Sequence, residues 1–515
     1  MDRKFYARKA LEDTLIPIRP GSDTAPFWNR CATRFIFAPA FRFKKLDGAV
    51  KYRFTVTDRL ENVYTFEADT PYAPLSPVWK DVVPGPAAVT AEGFDQAENS
   101  LGESGRFQFY RNAPFNACYP PKVREYRECA EKAYRYLFDL PSIRHWKTGE
   151  PDWSYELNCY PSKMQASIIC GMLRYADLRP EIREEALEIA EKCADRLIAK
   201  AIPSGEPLEY LPLTYEGEYR SAKRLSGTIM MIYPAEVGSA MIKLAEAAKK
   251  SAYLDYARKI AEQYRRLQQP NGSWHLVLRI DSGAPLNENV FSEPTVILDF
   301  LKELAAATGS GEWDETIARS IPYLREMCRT FDWAGQFEDT ELSTEPYSNL
   351  SKHMACDVIF FLLKNFPGDP EIIRAAREVK RFVEDQFIVW EQPGWIGTSA
   401  LYTDDRLQNG KWGWYDTWHV PTALEQYRFY CPVDASMAKL IRYFLFMYDL
   451  DGDKLDLAKA RVLGDSVTQF QEDSGFISTI FMGKPADWRD CTWINCMYAS
   501  AQAMNLLAQY DNIQL

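Results

Sequence analysis

Two stretches decide how this chain folds: residues 251–268, SAYLDYARKIAEQYRRLQ, and residues 294–307, PTVILDFLKELAAA. In the first, Leu254, Ala257, Ile260, Ala261, Tyr264 and Leu267 recur at helical spacing with Lys, Arg and Glu between them, which predicts a helix buried on one side only. In the second, Val296, Ile297, Leu298, Phe300, Leu301 and Leu304 leave almost no polar face, so that helix must be enclosed on nearly every side. The same contrast recurs along the chain. Residues 182–199 and 453–470 are one-sided; 354–363 and 440–448 are apolar almost all round. One-sided helices shielding enclosed ones, repeated roughly every sixty to seventy residues, predict a closed ring of helical hairpins, an (α/α)6 toroid.

Six hairpins are expected: 122–138 with 160–178, 182–199 with 229–248, 251–268 with 292–307, 312–329 with 350–364, 369–388 with 435–449, and 453–470 with 491–509. Short returns carry stop signals, among them Leu178-Arg179-Pro180, Thr308-Gly309-Ser310-Gly311, Phe366-Pro367-Gly368-Asp369 and Asp451-Gly452-Asp453. Asp449, Asp451 and Asp453 echo a calcium loop but lack its closing Glu, so they read as helix caps. Every long connection joins an outer helix to the next inner one, which puts all of them at one end of the ring. Function is expected at that end.

From about 25 to 118 the pattern changes to short alternating or aromatic runs (35–37, 52–56, 64–68, 89–91, 107–110) separated by turn clusters such as Leu46-Asp47-Gly48. This predicts a small N-terminal β-sandwich-like domain over 1–120, with the helical ring over 121–515 and the border near Tyr119-Pro120-Pro121.

A net charge of −11 with no basic block argues against nucleic acid, and no window is apolar and long enough to span a bilayer. The 11 Cys are odd in number and scattered, as small buried hydrophobes in a reducing compartment. The N-terminus lacks the apolar run of a signal peptide, so a cytoplasmic location is expected, or a periplasmic one if a leader has been removed. Neither HExxH, CxxC, GxGxxG, GxSxG nor a Walker pattern occurs, and no metal or cofactor is expected. A homo-oligomer stays open.

The long loops combine carboxylates with Trp, Tyr, His and Arg. Glu209-Tyr210 lies in the second; Trp274-His275 and Arg279 in the third, which ends at Ser292-Glu293-Pro294. The fourth holds Asp332-Trp333, Asp339, Tyr347 and His353. The fifth, 389–434, carries Trp414, Asp416, Trp418 and His419, with Tyr427 further on, and the sixth carries Trp488-Arg489-Asp490. Carboxylates beside aromatic planes suit glycosidic bond cleavage, where one protonated carboxyl acts as acid, a second ionised one as base or nucleophile, and flat rings stack on the sugar. Helix N-termini and loop arginines favour an anionic sugar group, so a uronate fits. The carboxylate pair is expected among Asp416, Glu293, Asp332, Asp490 and Glu209, with Asp416 or Glu293 as acid, His419 and Arg279 holding the uronate, and Trp414 and Trp418 stacking. Each acid has a plainer rival role: Asp332 and Asp490 sit where helix caps belong, and Glu293 before Pro294 reads as a helix start.

A β module followed by six hairpins, with Gln269-Pro270-Asn271-Gly272-Ser273-Trp274-His275 and Asp473-Ser474-Gly475-Phe476 as loop forms, resembles the six-hairpin glycosidase superfamily. The likeness implies a carbohydrate enzyme of the uronyl hydrolase or β-glucuronidase kind, or a related polysaccharide lyase. The expected function is hydrolysis of uronic-acid-containing oligosaccharides or polysaccharides. The alternatives are β-elimination, with His353 or His419 and Tyr427 or Tyr347 moving the proton, sugar epimerisation by a histidine pair, and carbohydrate binding without turnover.

Overall fold

The computed structural model describes residues 2–23, 27–340, 346–391, 420–427, 429–481 and 492–515. An N-terminal helix α1 (Arg3–Asp13) is capped by the Asp2 carboxylate, which accepts from Phe5 N at 3.1 Å, and it lays Tyr6 and Ala10 into the core. A five-stranded sheet follows: β1 (Arg34–Phe35), β2 (Lys51–Thr57), β3 (Val63–Ala68), β4 (Gly85–Phe94) and β5 (Ser100–Arg111), in the order β1-β5-β4-β2-β3. Only the β1–β5 pair is parallel.

The β region is therefore one sheet, where two facing sheets were expected. Its inner face, with Phe54, Val56, Val89, Ala91 and Phe109, is covered by the irregular stretch carrying Phe37, Phe41 and Phe43 and by Trp79 of the short helix Ser76–Trp79. Phe35, Phe37, Phe41 and Phe43 alternate as strand residues do, but the chain there spends its amides elsewhere. Ile36 N and Phe37 N both donate to Asp385 Oδ1, at 2.5 and 2.7 Å.

Twelve helices then make the ring. The outer ones are α2 (Tyr126–Asp139), α4 (Arg183–Ala199), α6 (Ser251–Leu267), α8 (Asp314–Thr330), α10 (Pro370–Phe387) and α12 (Lys454–Phe470). The inner ones are α3 (Pro161–Leu178), α5 (Tyr233–Ala248), α7 (Thr295–Thr308), α9 (Lys352–Asn365), α11 (Asp434–Asp451) and α13 (Ile494–Leu507). Each inner helix packs on the next, and α13 returns to α3, which closes the toroid. Small residues permit the closest approaches. A Cβ on Gly171 of α3 would lie 2.1 Å from the Tyr498 ring of α13, and one on Gly238 of α5 would lie 2.3 Å from Phe300 of α7.

The short returns end as expected. Gly309 and Gly452 take the left-handed cap after α7 and α11, and the Asp369 and Asp453 carboxylates cap α10 and α12. Asp451 pairs with Arg377 at 2.8 Å, and Asp449 accepts from the Tyr510 hydroxyl at 2.6 Å. All three aspartates of the calcium-like stretch thus have structural work.

Buried polar links join the outer helices α10 and α12 to each other and α10 to the sheet. Lys459 of α12 meets Glu384 of α10 at 2.6 Å, and Lys380 meets Asp456 at 3.1 Å, all four side chains being buried. Gln386 Nε2 donates to Arg34 O at 2.8 Å. Among the described residues no helix is long and apolar enough to cross a membrane.

The long connections do meet at one end. Strand β6 (Thr228–Met230) pairs with β7 (Val277–Arg279), and β8 (Ile388–Val389), β9 (Thr422–Gln426) and β10 (Phe429–Pro432) form a second small sheet. Tyr215 of the second connection donates to Glu338 O of the fourth at 3.1 Å, and Tyr155 of the first donates to Thr492 O of the last at 2.7 Å.

Candidate active site

Inside the ring runs an axial cavity of about 440 Å3, lined from all six inner helices. Ala166, Ser167, Ser239, Ala435, Ala438 and Ala499 hold it open, since side chains this small cannot fill the axis. Its charged lining begins in the first turns of the inner helices, with Lys163 on α3, Glu236 on α5 and His353 on α9. That is the end where the long connections converge.

One wall centres on Glu338, from the connection between α8 and α9. Its side chain is 1% exposed, and Lys163 Nζ lies 2.7 Å from Oε1. The Tyr233 hydroxyl donates to the other oxygen. Asp339 follows directly. Its residue surface is exposed, yet the protein around its carboxyl withdraws solvent, and burial followed by the Glu338 charge pushes that carboxyl above the usual range against Lys163 and Arg220. Glu236 is pushed up to about 7, by burial opposed by Lys163. Trp493 lies flat on Tyr160, with centroids 5.8 Å apart, and Lys163 Nζ sits 4.8 Å from the Trp493 ring.

The α9 wall lies across the axis, since α3 and α9 are three places apart in a ring of six. There His353 Nε2 is 3.3 Å from Glu425 Oε1, and the fully buried Lys352 reaches Glu425 Oε2 at 3.2 Å. Ser436 donates to the same carboxylate. Burial works against Glu425 ionising, but Lys352 and His353 hold it well below the ordinary carboxylate value. Burial and the Lys352 charge push His353 down to about 4, so it is a neutral imidazole at physiological pH. Among the described residues no group of three or more His, Cys, Asp or Glu is gathered as a metal site would require.

Of the residues expected from sequence, His353 lines this cavity. Glu293 is 3% exposed and serves the start of α7: Oε1 accepts from Thr295 N at 2.8 Å and Oε2 from Thr295 Oγ1 at 2.7 Å. Burial, then the Asp357 charge, pushes it up to about 8. Asp332 accepts from Tyr347 N at 3.3 Å, a bond internal to its own connection. Trp274 is a core residue, its Nε1 donating to Tyr264 O at 2.7 Å, and His275 stacks on Phe291 at 4.9 Å. Arg279 ends β7 opposite Thr228, exposed and outside the cavity lining. Glu209 closes a turn by accepting from Ser204 Oγ and Gly205 N, at 3.1 and 2.8 Å. Tyr347 and Tyr427 are buried, their hydroxyls donating to Thr330 O and Gln386 Oε1, both at 2.8 Å. These tyrosines are thus held away from any proton transfer in the cavity. Asp416, His419, Trp414, Trp418, Trp488, Arg489 and Asp490 lie outside the described residues.

Sequence reading passed over Lys163, Tyr233, Glu236, Glu338 and Glu425. Their signal was available for three of them: Lys163, Tyr233 and Glu236 are polar groups in the first turns of helices that had to be enclosed.

Fold and cavity together define an (α/α)6 toroid with a polar axial channel, whose lining residue Lys163 pairs with the buried Glu338. No protein-family model matches the chain, and no curated protein matches it by sequence. Solved structures match by fold. Cellobiose 2-epimerase from Spirochaeta thermophila DSM 6192 aligns with a TM-score of 0.51 at 13% identity, over 75% of this chain and 97% of its own. A family 76 glycoside hydrolase from a bovine Bacteroides thetaiotaomicron strain aligns over 93% of this chain and 98% of its own, at 12% identity and a TM-score of 0.44. D-mannose isomerase covers 68% of this chain and 86% of its own, at 10% identity and a TM-score of 0.47. At such identities the likeness is one of fold.

Proposed function

We propose that the protein is a carbohydrate-active enzyme, a glycoside hydrolase whose reaction takes place at the mouth of the axial cavity. The observation that carries this reading is the pair Glu338 and Asp339, neighbours in sequence with opposed surroundings. Glu338 is clamped by Lys163 and Tyr233, while burial and the Glu338 charge favour the proton on Asp339. Two neighbouring carboxyls in such unlike surroundings suit glycosidic cleavage. Asp339 protonates the leaving oxygen, and Glu338, held by Lys163 and Tyr233, sets the charge beside it while water takes the anomeric carbon. Trp493, partly exposed beside Lys163, offers a face for the sugar. A fold shared with a cellobiose 2-epimerase supports a sugar substrate. The finer reading is a uronate, with Arg220 near Asp339 as its counter-charge in place of Arg279.

The test is turnover of an aryl glycoside panel that includes glucuronides, by wild type, Glu338→Gln and Asp339→Asn. Loss of a general acid or its partner costs roughly 100- to 10,000-fold. Both variants turning over at the wild-type rate would remove the assignment, and activity confined to neutral glycosides would remove the uronate.

A second reading is favoured by His353. A neutral imidazole backed by Glu425 and facing the cavity is suited to take a proton beside a sugar carbonyl or from C5 of a uronate, as epimerisation or β-elimination demands. Deuterium entering the sugar from D2O, or an unsaturated uronate product, with loss of either in His353→Asn, would decide for it.

A further inference from the structure

We propose that the deep end of the axial cavity is a binding site for the anionic end of a sugar chain, a carboxylate or a phosphate, held by Arg442 with Lys243 and Gln502 beside it. The proposal rests on the reading of this cavity as a sugar site, and its direct readout is binding, which needs no turnover.

The cavity descends from the first turns of the inner helices to the third. Arg442 is the ninth residue of α11, Lys243 the eleventh of α5 and Gln502 the ninth of α13, and all three line it. At a rise of about 1.5 Å per residue they lie about 12–15 Å below the helix starts. All three are exposed on helices that are otherwise enclosed: Leu440, Ile441, Tyr443, Phe444 and Leu445, which flank Arg442, are buried. Such a side chain meets water by facing the axis.

The acids that line the cavity lie higher. Glu236 is in the first turn of α5 and Asp299 in the second turn of α7, about 5–6 Å below the helix starts. The other lining lysines each have an acid at hand. Lys163 meets Glu338 at 2.7 Å, Lys439 meets Asp357 at 2.5 Å, and Lys243 stands 3.4 Å from Glu303. Among the described residues no carboxylate comes within 4.0 Å of Arg442 and no oxygen accepts from it. Its guanidinium carbon lies 5.6 Å from the centroid of the Phe360 ring, which leaves the planar fork of donors for whatever enters the axis.

A cavity of about 440 Å3 falls within the roughly 300–1,000 Å3 of small-molecule sites. Neutral sugar hydroxyls can be met by Gln502 and by the Ser167 and Ser239 hydroxyls on the wall. A guanidinium fork with a lysine nearby instead matches an oxyanion, to which its hydrogen bonds are charge-assisted. With the reaction at the mouth, the chain then enters end first and places its acidic end on the floor. Arg220 serves the ring at the mouth and Arg442 the end below it.

The experiment is calorimetric titration of the full chain with D-glucuronate, D-glucose 6-phosphate, inorganic phosphate and D-glucose, in wild type, Arg442→Met, Arg442→Lys and Arg220→Met. Wild type is expected to bind at least one of the two acidic sugars about tenfold more tightly than glucose. Arg442→Met should lose that preference and Arg442→Lys keep part of it. A preference for glucuronate assigns the floor to a carboxylate; one for glucose 6-phosphate, shared by inorganic phosphate, assigns it to a phosphate. Acidic sugars bound no more tightly than glucose would overturn the proposal. So would a preference that survives in Arg442→Met and vanishes in Arg220→Met, which would put the anion at the mouth. Arg442 has no acid partner to strand, and should Arg442→Met still fail to fold, Arg442→Gln gives the same readout. A preference that depends on Arg442, with no aryl glycoside turned over, would keep this site and sink the hydrolase reading instead.

Discussion

Gly171→Ala tests whether the first and last inner helices seal the ring. The added Cβ would lie 2.1 Å from both Cε1 and Cζ of Tyr498 and 2.5 Å from Cδ1, well inside the roughly 3.5–4.0 Å at which carbon atoms rest. Tyr498 is 2% exposed, with the Tyr134 ring 6.1 Å from its own between centroids, so relief of the overlap requires it to shift within a packed layer. Overpacking of this kind costs about 1–3 kcal/mol, and an overlap so large belongs at the upper end. Alanine returns up to about 1 kcal/mol in helix propensity, which leaves a net loss near 2 kcal/mol. With an unfolding entropy of roughly 2.1 cal/mol/K per residue, a chain this long loses about 1 °C per kcal/mol, so calorimetry should show a melting temperature about 2 °C lower. Gly368→Ala is the control. Nothing lies within 4 Å of its added Cβ and its backbone is not left-handed, so it should be neutral or slightly stabilising. If Gly171→Ala melts with Gly368→Ala, α3 and α13 do not meet as described and the closed toroid is refuted.

Glu293→Gln should change how stability depends on pH. The folded protein holds the Glu293 proton up to about pH 8, against an ordinary value of 4.5, so wild-type stability falls as pH rises between the two, by at most about 1.4 kcal/mol per unit. Glutamine mimics the protonated acid and removes that slope; in urea unfolding its advantage over wild type should grow from pH 5 to 8 and then level, and a constant difference would contradict the assignment. Lys459→Met strands the buried Glu384 with Trp390 Nε1, at 3.1 Å, as its remaining donor among the described residues, and should cost about 3–5 kcal/mol by denaturant midpoint. Adding Glu384→Leu should recover most of the loss, and a double variant no more stable than the single one would show that the pair does more than neutralise itself.

The twelve ring helices were legible because each obeys one period over several turns, and because the difference between a one-sided and an enclosed helix is itself information about layer. The β region was less so. Phe35, Phe37, Phe41 and Phe43 present the same alternation whether or not their backbone pairs with a neighbour, and side-chain pattern alone says nothing of where the amides go. Here the amides of Ile36 and Phe37 go to Asp385, some 350 residues away, and Pro39 interrupts the run. Of that run only the short strand β1 pairs, and it joins the same sheet beside β5. The helix α1 escaped notice for a related reason: its burial is limited to Tyr6 and Ala10, too little to give the sequence a clear apolar stripe.

The site was harder to read because loops and helices advertise charge differently. In a connection laid over the end of a ring, a tryptophan beside a carboxylate has two uses, and composition does not separate them. Trp274 and Trp333 proved to be fully buried, packed into the main hydrophobic core. A charge within an otherwise enclosed helix has fewer uses, since burying it unpaired costs far more than a helix propensity can repay. Lys163, Glu236, Lys352 and Lys439 all interrupt helices that the periodicity had already assigned to the interior. Two of them are neutralised at contact distance by acids from loops, Lys163 by Glu338 and Lys352 by Glu425, while Lys439 meets Asp357 of the neighbouring inner helix α9. Ionic groups on the inner layer thus select which loop acids come down to the mouth. That selection brings Glu338 and Glu425 into place and leaves Glu209 in a surface turn and Asp332 in its own connection. In a toroid of this kind the more informative order of reading is to locate the charges that the inner helices must carry, and only then to ask which of the many loop carboxylates they require.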